Sequence, residues 1–227
     1  MSTVERFYPG VPITGCLFHF KQCIRRKIQS LGLLVAYNKS LGIQFLIKLV
    51  FSLVYVKPED VGHGLTEVFL AYLESQKDHE EFEEVYELLL ELINYLEVTW
   101  IGKLMRGDTR APPMYAVLLW NKYNEVLTGL PLTNNQVESH NAKWNATLAK
   151  KPTLWDVLDG FQRQEASAET ILREDSLATN VVNTDRNKQR NQKHMNYQAD
   201  LRKMVESYNN MPLGIYMNNI VRFFNDV

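Results

Sequence analysis

Glu138 stands four residues after Asn134 and three before Asn141, and Asn145 follows four further on. Carried on one helix, these intervals line up a carboxylate with a row of amides. Such a row offers hard oxygen ligands to a divalent cation, or polar contacts to a phosphate-bearing substrate. A glutamate near a helix N-terminus is also favoured by the macrodipole alone and then simply faces water. A second group lies near the start of the sequence, where Cys16 and His19 are followed by Lys21, Arg25, Arg26 and Lys27. Thiolate and imidazole suit tetrahedral zinc, with Cys23 and His140 to complete the set, yet the spacing is not a standard zinc pattern and a buried structural pair is the plainer reading. The four cations read either as a contact to a phosphate backbone or as a solvated helix face.

These residues need elements to hold them. Thr133 followed by Gln136 is a capping box, so a helix is expected over 134–149, with Val137, Trp144 and Leu148 on the flank that packs. Pro9, Gly10 and Pro12 make a turn into residues 13–18, the one strand the sequence predicts, which would deliver Cys16 and His19 to a helix start. Beyond Phe20 the apolar spacing follows the helical period, predicting helices near 20–31, 41–55, 64–74, 79–97, 113–127, 134–149 and 154–173. The fold class is therefore mainly α.

The most apolar stretch, 41–56, keeps Gln44, Lys48 and Ser52 in one narrow stripe and ends before Pro58. Its length and its central lysine fit a core helix better than a membrane crossing. Glu81, Glu84, Glu87 and Glu91 ring the polar side of the 79–97 helix and read as a solvated face. Trp100, Trp120, Trp144 and Trp155 sit near helix ends or on apolar faces, which makes them core residues. From 176 to 200 the chain turns polar and rich in asparagine, the composition of a flexible connector, and 201–227 regains apolar spacing in two short helices broken around Pro212 and Gly214. His63 and His79 give no usable signal.

A chain of 227 residues can bury one sizeable core, or one domain with an appendage. The formal net charge of −1 excludes a uniformly basic nucleic-acid binder but not a local basic face. Two cysteines cannot build a disulfide scaffold, and no secretory leader opens the sequence, so an intracellular setting is expected.

Four blocks, taken in order, resemble the C-terminal half of the Mutator-like (MULE) transposase domain. They are Gly15-Cys16-Leu17-Phe18-His19-Phe20-Lys21-Gln22, Tyr95-Leu96-Glu97-Val98-Thr99-Trp100-Ile101-Gly102, Leu119-Trp120-Asn121-Lys122-Tyr123 and Leu132-Thr133-Asn134-Asn135-Gln136-Val137-Glu138-Ser139-His140-Asn141. The resemblance spans roughly residues 3 to 165. It implies an RNase H-like catalytic core, of which residues 1–165 would be the C-terminal part, 166–200 a polar connector and 201–227 a short helical tail. Glu138 matches the last acid of the family's Asp-Asp-Glu triad, whose carboxylates hold two Mg²⁺ ions for attack on phosphodiesters. Cys16 and His19 match its Cys-x-x-His signature and, with Asn134 and Asn141, would shape the active site. Lys21, Arg25, Arg26 and Lys27 would contact DNA. The implied partners are transposon-end DNA and a second copy of the chain, in the nucleus, with neither a membrane nor a small-molecule substrate.

The first aspartate in the sequence is Asp60, so neither of the family's first two acids precedes the Cys-x-x-His block. One carboxylate cannot hold the metal pair. The expectation is a truncated or transposon-derived transposase fragment, inactive alone and binding no Mg²⁺ productively. The alternative is a domesticated, non-catalytic helical module that binds DNA or a protein partner.

Overall fold

The structure is a computed structural model, and it describes residues 6–7, 9, 13–133, 135–148, 151–177 and 185–224. The chain is mainly helical, as expected, and among the described residues there is no strand. The predicted strand at 13–18 is corrected. Residues 13–16 carry no regular structure, and Leu17 already opens helix α1, Leu17–Ser30. A strand needs a ladder of backbone bonds to a neighbour. Here two single tethers replace it, from Gly15 N–H to the Leu119 carbonyl and from Leu17 N–H to the Leu132 carbonyl.

The described residues fall into two compact units, Met1–Thr133 with Asn196–Val227, and Asn134–Met195. The first is built around α3, Leu41–Ser52, the apolar segment read as a core helix. Ser40 caps it by accepting from Ile43 N–H at 3.1 Å, and Ile43, Leu46, Ile47, Leu49 and Val50 are all buried. Of its polar stripe, the buried Ser52 hydroxyl donates to the Leu49 carbonyl at 2.8 Å. Short α2, Leu34–Lys39, links α1 to α3. A helix over 61–76 follows, α4, whose Gly64–Leu70 stretch is π-helical. Gly64 there lies close to Leu53 and Met217, and any β-carbon would meet the Leu53 side chain.

The expected 79–97 helix is interrupted. It forms α5, Glu80–Glu83, and α6, Tyr86–Leu96, which continues as a π-helical turn over Glu97–Ile101. Glu81, Glu84, Glu87 and Glu91 are exposed, the solvated face read from their spacing. The 113–127 helix likewise divides, into α7, Val117–Trp120, and α8, Tyr123–Thr128. The core is closed by the end of α11, Asp185–Glu206, and by α12, Leu213–Phe223, whose Tyr216, Met217, Ile220 and Val221 are buried. Residues 185–200, read as part of a flexible connector, are therefore helical. Their polar side chains suit an exposed helix as well as a coil, and composition does not separate the two.

The second unit carries α9, Asn135–Thr147, and α10, Leu154–Leu177. Trp144 lies 4.7 Å from the Phe161 ring, and Gly160 beneath it leaves no room for a β-carbon, which would come 2.9 Å from the indole. Thr153 and Asp156 form a reciprocal cap at the start of α10. Thr153 N–H and hydroxyl donate to the carboxylate at 2.8 and 2.7 Å, and Asp156 N–H donates back to the hydroxyl at 3.2 Å.

Candidate functional site

Three of the four sequence blocks singled out above, and the start of the fourth, converge within the first unit. Phe20 of α1 is buried between two indoles. It stacks on Trp120 with ring centroids 4.8 Å apart and planes 4° from parallel, and it meets Trp100 edge-on at 4.9 Å. The Trp120 indole N–H donates to the Trp100 carbonyl at 3.0 Å, and Tyr115 stacks on Trp100 with centroids 4.9 Å apart. With the Gly15 and Leu17 tethers, this cluster ties the Cys-x-x-His block to residues 95–102, 119–123 and Leu132. Offset and edge-to-face aromatic pairs each add about 0.5–1.5 kcal/mol beyond their buried area. The block is thus held rigidly without a sheet.

Cys16 is the N-cap residue of α1, extended at φ −77° and ψ 126°, and its carbonyl accepts from Phe20 N–H at 3.2 Å. His19 lies three residues on, in the same first turn, exposed, with its ring 5.5 Å from that of Phe18. The Cys-x-x-His spacing therefore presents a thiol and an imidazole at one helix N-terminus, whose first turn contains no acid. Cys23 lies two turns along and packs half-buried against the core, and both cysteines are free thiols.

The four cations divide. Lys21 and Arg25, one turn apart, line a cavity of about 530 Å³. Arg26 is exposed, while the Lys27 ammonium lies 5.5 Å over the Tyr95 ring. The helix thus offers two separate basic positions rather than one continuous row.

Residues 119–123 explain themselves through packing. Asn121 donates to the carbonyls of Leu53 and Val56 at 3.3 and 2.8 Å and accepts from Tyr123 N–H at 3.0 Å. Lys122, fully buried, donates to the Glu125 carboxylate at 3.1 Å. Arg110 performs a similar service near residues 95–102. Its guanidinium donates to Glu97 at 3.2 Å, to the Gly102 carbonyl at 2.8 Å and to the Gly62 carbonyl at 3.2 Å. Gly102 itself takes φ +98°, and a β-carbon there would overlap the Ala111 carbonyl oxygen. Sequence reading did not find the Lys122–Glu125 pair or the Arg110 clamp. The only available signal for the pair was its helical i,i+3 spacing, and nothing in a sequence marks such a spacing as buried.

In the second unit, Glu138 lies in the first turn of α9, and Glu138, Asn141 and Asn145 are all exposed. Three members of the polar stripe are therefore exposed together on α9, beside a flank where Trp144 and Leu148 are half-buried. Asn134, expected to belong to it, lies outside the described residues, as do the side chains of Val137 and His140. Of the tryptophans, Trp100 and Trp120 are core residues and Trp144 is half-buried. Trp155 corrects the expectation, since it is 73% exposed on the first turn of α10. His63 pairs with Glu67 at 2.9 Å on the surface of α4.

Comparison of the chain with protein-family models, curated proteins and solved structures gives no match. Among the described residues, no helix is long and apolar enough to cross a membrane.

Proposed function

We propose that the chain derives from the C-terminal half of a MULE-type DNA transposase domain, that this half belongs to an RNase H-like core, and that Glu138 is the third acid of its site. The observation that supports this reading most is the convergence at Phe20. The blocks that carry the resemblance are far apart in sequence, yet three of them share one aromatic cluster, and backbone tethers join the first to Leu119 and to Leu132 at the start of the fourth. In this reading Cys16 and His19 shape the site, Asn141 flanks Glu138, and Asn134 belongs with them. The cations at Arg25 and Arg26 contact the DNA backbone, and the protein acts in the nucleus.

Mg²⁺ would supply Lewis-acid activation of water and of a 3′-hydroxyl. Glu138, exposed and beside an amide, offers one hard oxygen ligand of the right kind, but a two-metal site needs further carboxylates at positions this sequence does not match. The chain alone accordingly performs no strand transfer.

The test has two arms. The purified chain should leave supercoiled DNA intact with Mg²⁺ or Mn²⁺, and Mg²⁺-dependent nicking abolished by Glu138→Ala would overturn the incomplete-site assignment. It should bind duplex DNA at low salt, with affinity falling linearly on a log–log salt plot and further on charge reversal at Arg25 and Arg26. Failure to bind at low salt would refute the DNA assignment.

A further inference from the structure

The cavity behind α1 has a composition that neither the aromatic cluster nor Glu138 uses. Its volume is about 530 Å³, within the range of about 300–1,000 Å³ typical of small-molecule sites. α1 contributes Lys21, Arg25, Ile28 and Gln29, and α2 contributes Leu34 and Tyr37. α3 adds Ile47, Lys48 and Phe51, and Tyr197 with Phe224 completes the wall. Three of these side chains are cationic. Among the described residues that line the cavity there is no aspartate or glutamate. Most of the remainder are aliphatic or aromatic.

The cations come from two helices. Lys21 and Arg25 lie one turn apart on one helix, and Lys48 stands on another. The half-buried Lys21 ammonium lies 5.1 Å over the Phe224 ring, so this charge is held against apolar surface rather than extended into water. Burial, with Arg25 beside it, lowers the Lys21 pKa below the ordinary lysine value. Holding the Lys21 ammonium against apolar surface with a like charge beside it is unfavourable unless something offsets it. An anion does so, and an apolar body attached to that anion would cover Ile28, Ile47 and Phe51.

We infer that this cavity is a binding site for a small anionic amphiphile, a molecule with one carboxylate or phosphate head held by Lys21 and Arg25 and an unbranched apolar body lying on Ile28, Leu34, Ile47, Phe51 and Phe224. The inference does not use Glu138, and it assigns to an anionic head the Arg25 that the transposase reading places on DNA. It adds a small-molecule ligand that the family resemblance does not contain.

The full chain is titrated calorimetrically, below the micellar range, with dodecanoate, dodecyl phosphate and the uncharged dodecanol. Saturable one-to-one binding of either anion is expected, at least tenfold tighter than dodecanol. Shortening dodecanoate to decanoate and octanoate should weaken binding by up to about fourfold per methylene removed. The double variant Lys21→Met, Arg25→Gln should lose at least tenfold for the anions and little for the alcohol. Ile47→Trp, which fills the floor, should lose all three ligands while leaving duplex DNA binding unchanged. Whether one anion or both bind distinguishes a carboxylate from a phosphate ligand, and either outcome supports the site.

Equal affinity for dodecanoate and dodecanol, or no saturable binding of either anion, would overturn the inference. Because that comparison uses the unaltered chain, it decides the matter even if a variant fails to fold. Binding of a single-stranded oligonucleotide that Lys21→Met weakens, with no uptake of either anion, would assign these cations to nucleic acid and equally refute the proposal.

Discussion

The pair Lys122–Glu125 lends itself to a prediction with an internal asymmetry. At 3.1 Å and an effective dielectric of about 20, the two charges attract by about 5 kcal/mol, most of which offsets the cost of removing them from water. The Lys122 side chain is 1% exposed and that of Glu125 is 9% exposed. Glu125 also borders a cavity of about 260 Å³ between α8 and the end of α11. Glu125→Leu therefore strands an ammonium deep in the core and should cost about 4–5 kcal/mol, the upper part of the range for breaking a buried pair. Lys122→Met leaves a carboxylate that can turn toward the cavity, so its cost should be smaller, about 2–3 kcal/mol. The double variant removes both charges and should fall within about 1 kcal/mol of the unaltered protein. The assay is urea unfolding followed by tryptophan fluorescence in a Trp144→Phe, Trp155→Phe background, so that only Trp100 and Trp120 of the first unit report. The reasoning fails if the two single variants cost the same, or if the double variant is destabilised by the sum of the singles.

Three further outcomes follow from the packing. Phe20→Ala removes the ring between Trp100 and Trp120 and should cost about 3–5 kcal/mol in the same unfolding assay, whereas a loss under about 1 kcal/mol would show that the cluster is not a structural anchor. Gly102→Ala meets both a positive φ and the Ala111 carbonyl, so a loss of more than about 1 kcal/mol is expected, and a neutral result would contradict that backbone geometry. At the α10 cap, the Thr153 hydroxyl and N–H hold the Asp156 carboxyl below its usual range. The stabilisation from a depressed carboxyl is present above the ordinary aspartate value, about pH 3.9, and is lost as pH falls through the depressed one. Helix content measured by circular dichroism should thus decline below about pH 4, and Asp156→Asn should remove that component of the decline.

Helical periodicity was legible wherever one face is buried, as at α3 and α6. The breaks were not, because residues 84–85 and 121–122 keep the apolar period while the backbone turns. Asn121 shows why: its side chain takes over backbone hydrogen bonds from a distant segment, which no local pattern announces. The segment 13–18 misled in the opposite direction. Its small and β-favouring residues fit an extended chain, and Cys16 is itself extended, but strand pairing depends on a partner that sequence reading cannot supply. Trp155 failed because an amphipathic helix can expose an aromatic at its first turn. Of the candidate site, the Cys-x-x-His turn and the exposed Glu138 stripe were readable from spacing. The basic run was readable only as charge, since its division between a cavity and the Tyr95 ring depends on tertiary neighbours.

The order in which the first unit is assembled carries a consequence for synthesis. Its core is completed by Tyr216, Met217, Ile220 and Val221, which follow the whole of the second unit in the chain. During translation α3 and its neighbours therefore emerge long before the residues that cover them, while the hairpin of α9 and α10 is contiguous and can form first. For that interval the face of α3 that packs on α12 is uncovered, and a ribosome stalled anywhere before α12 would present a chaperone substrate rather than a folded domain.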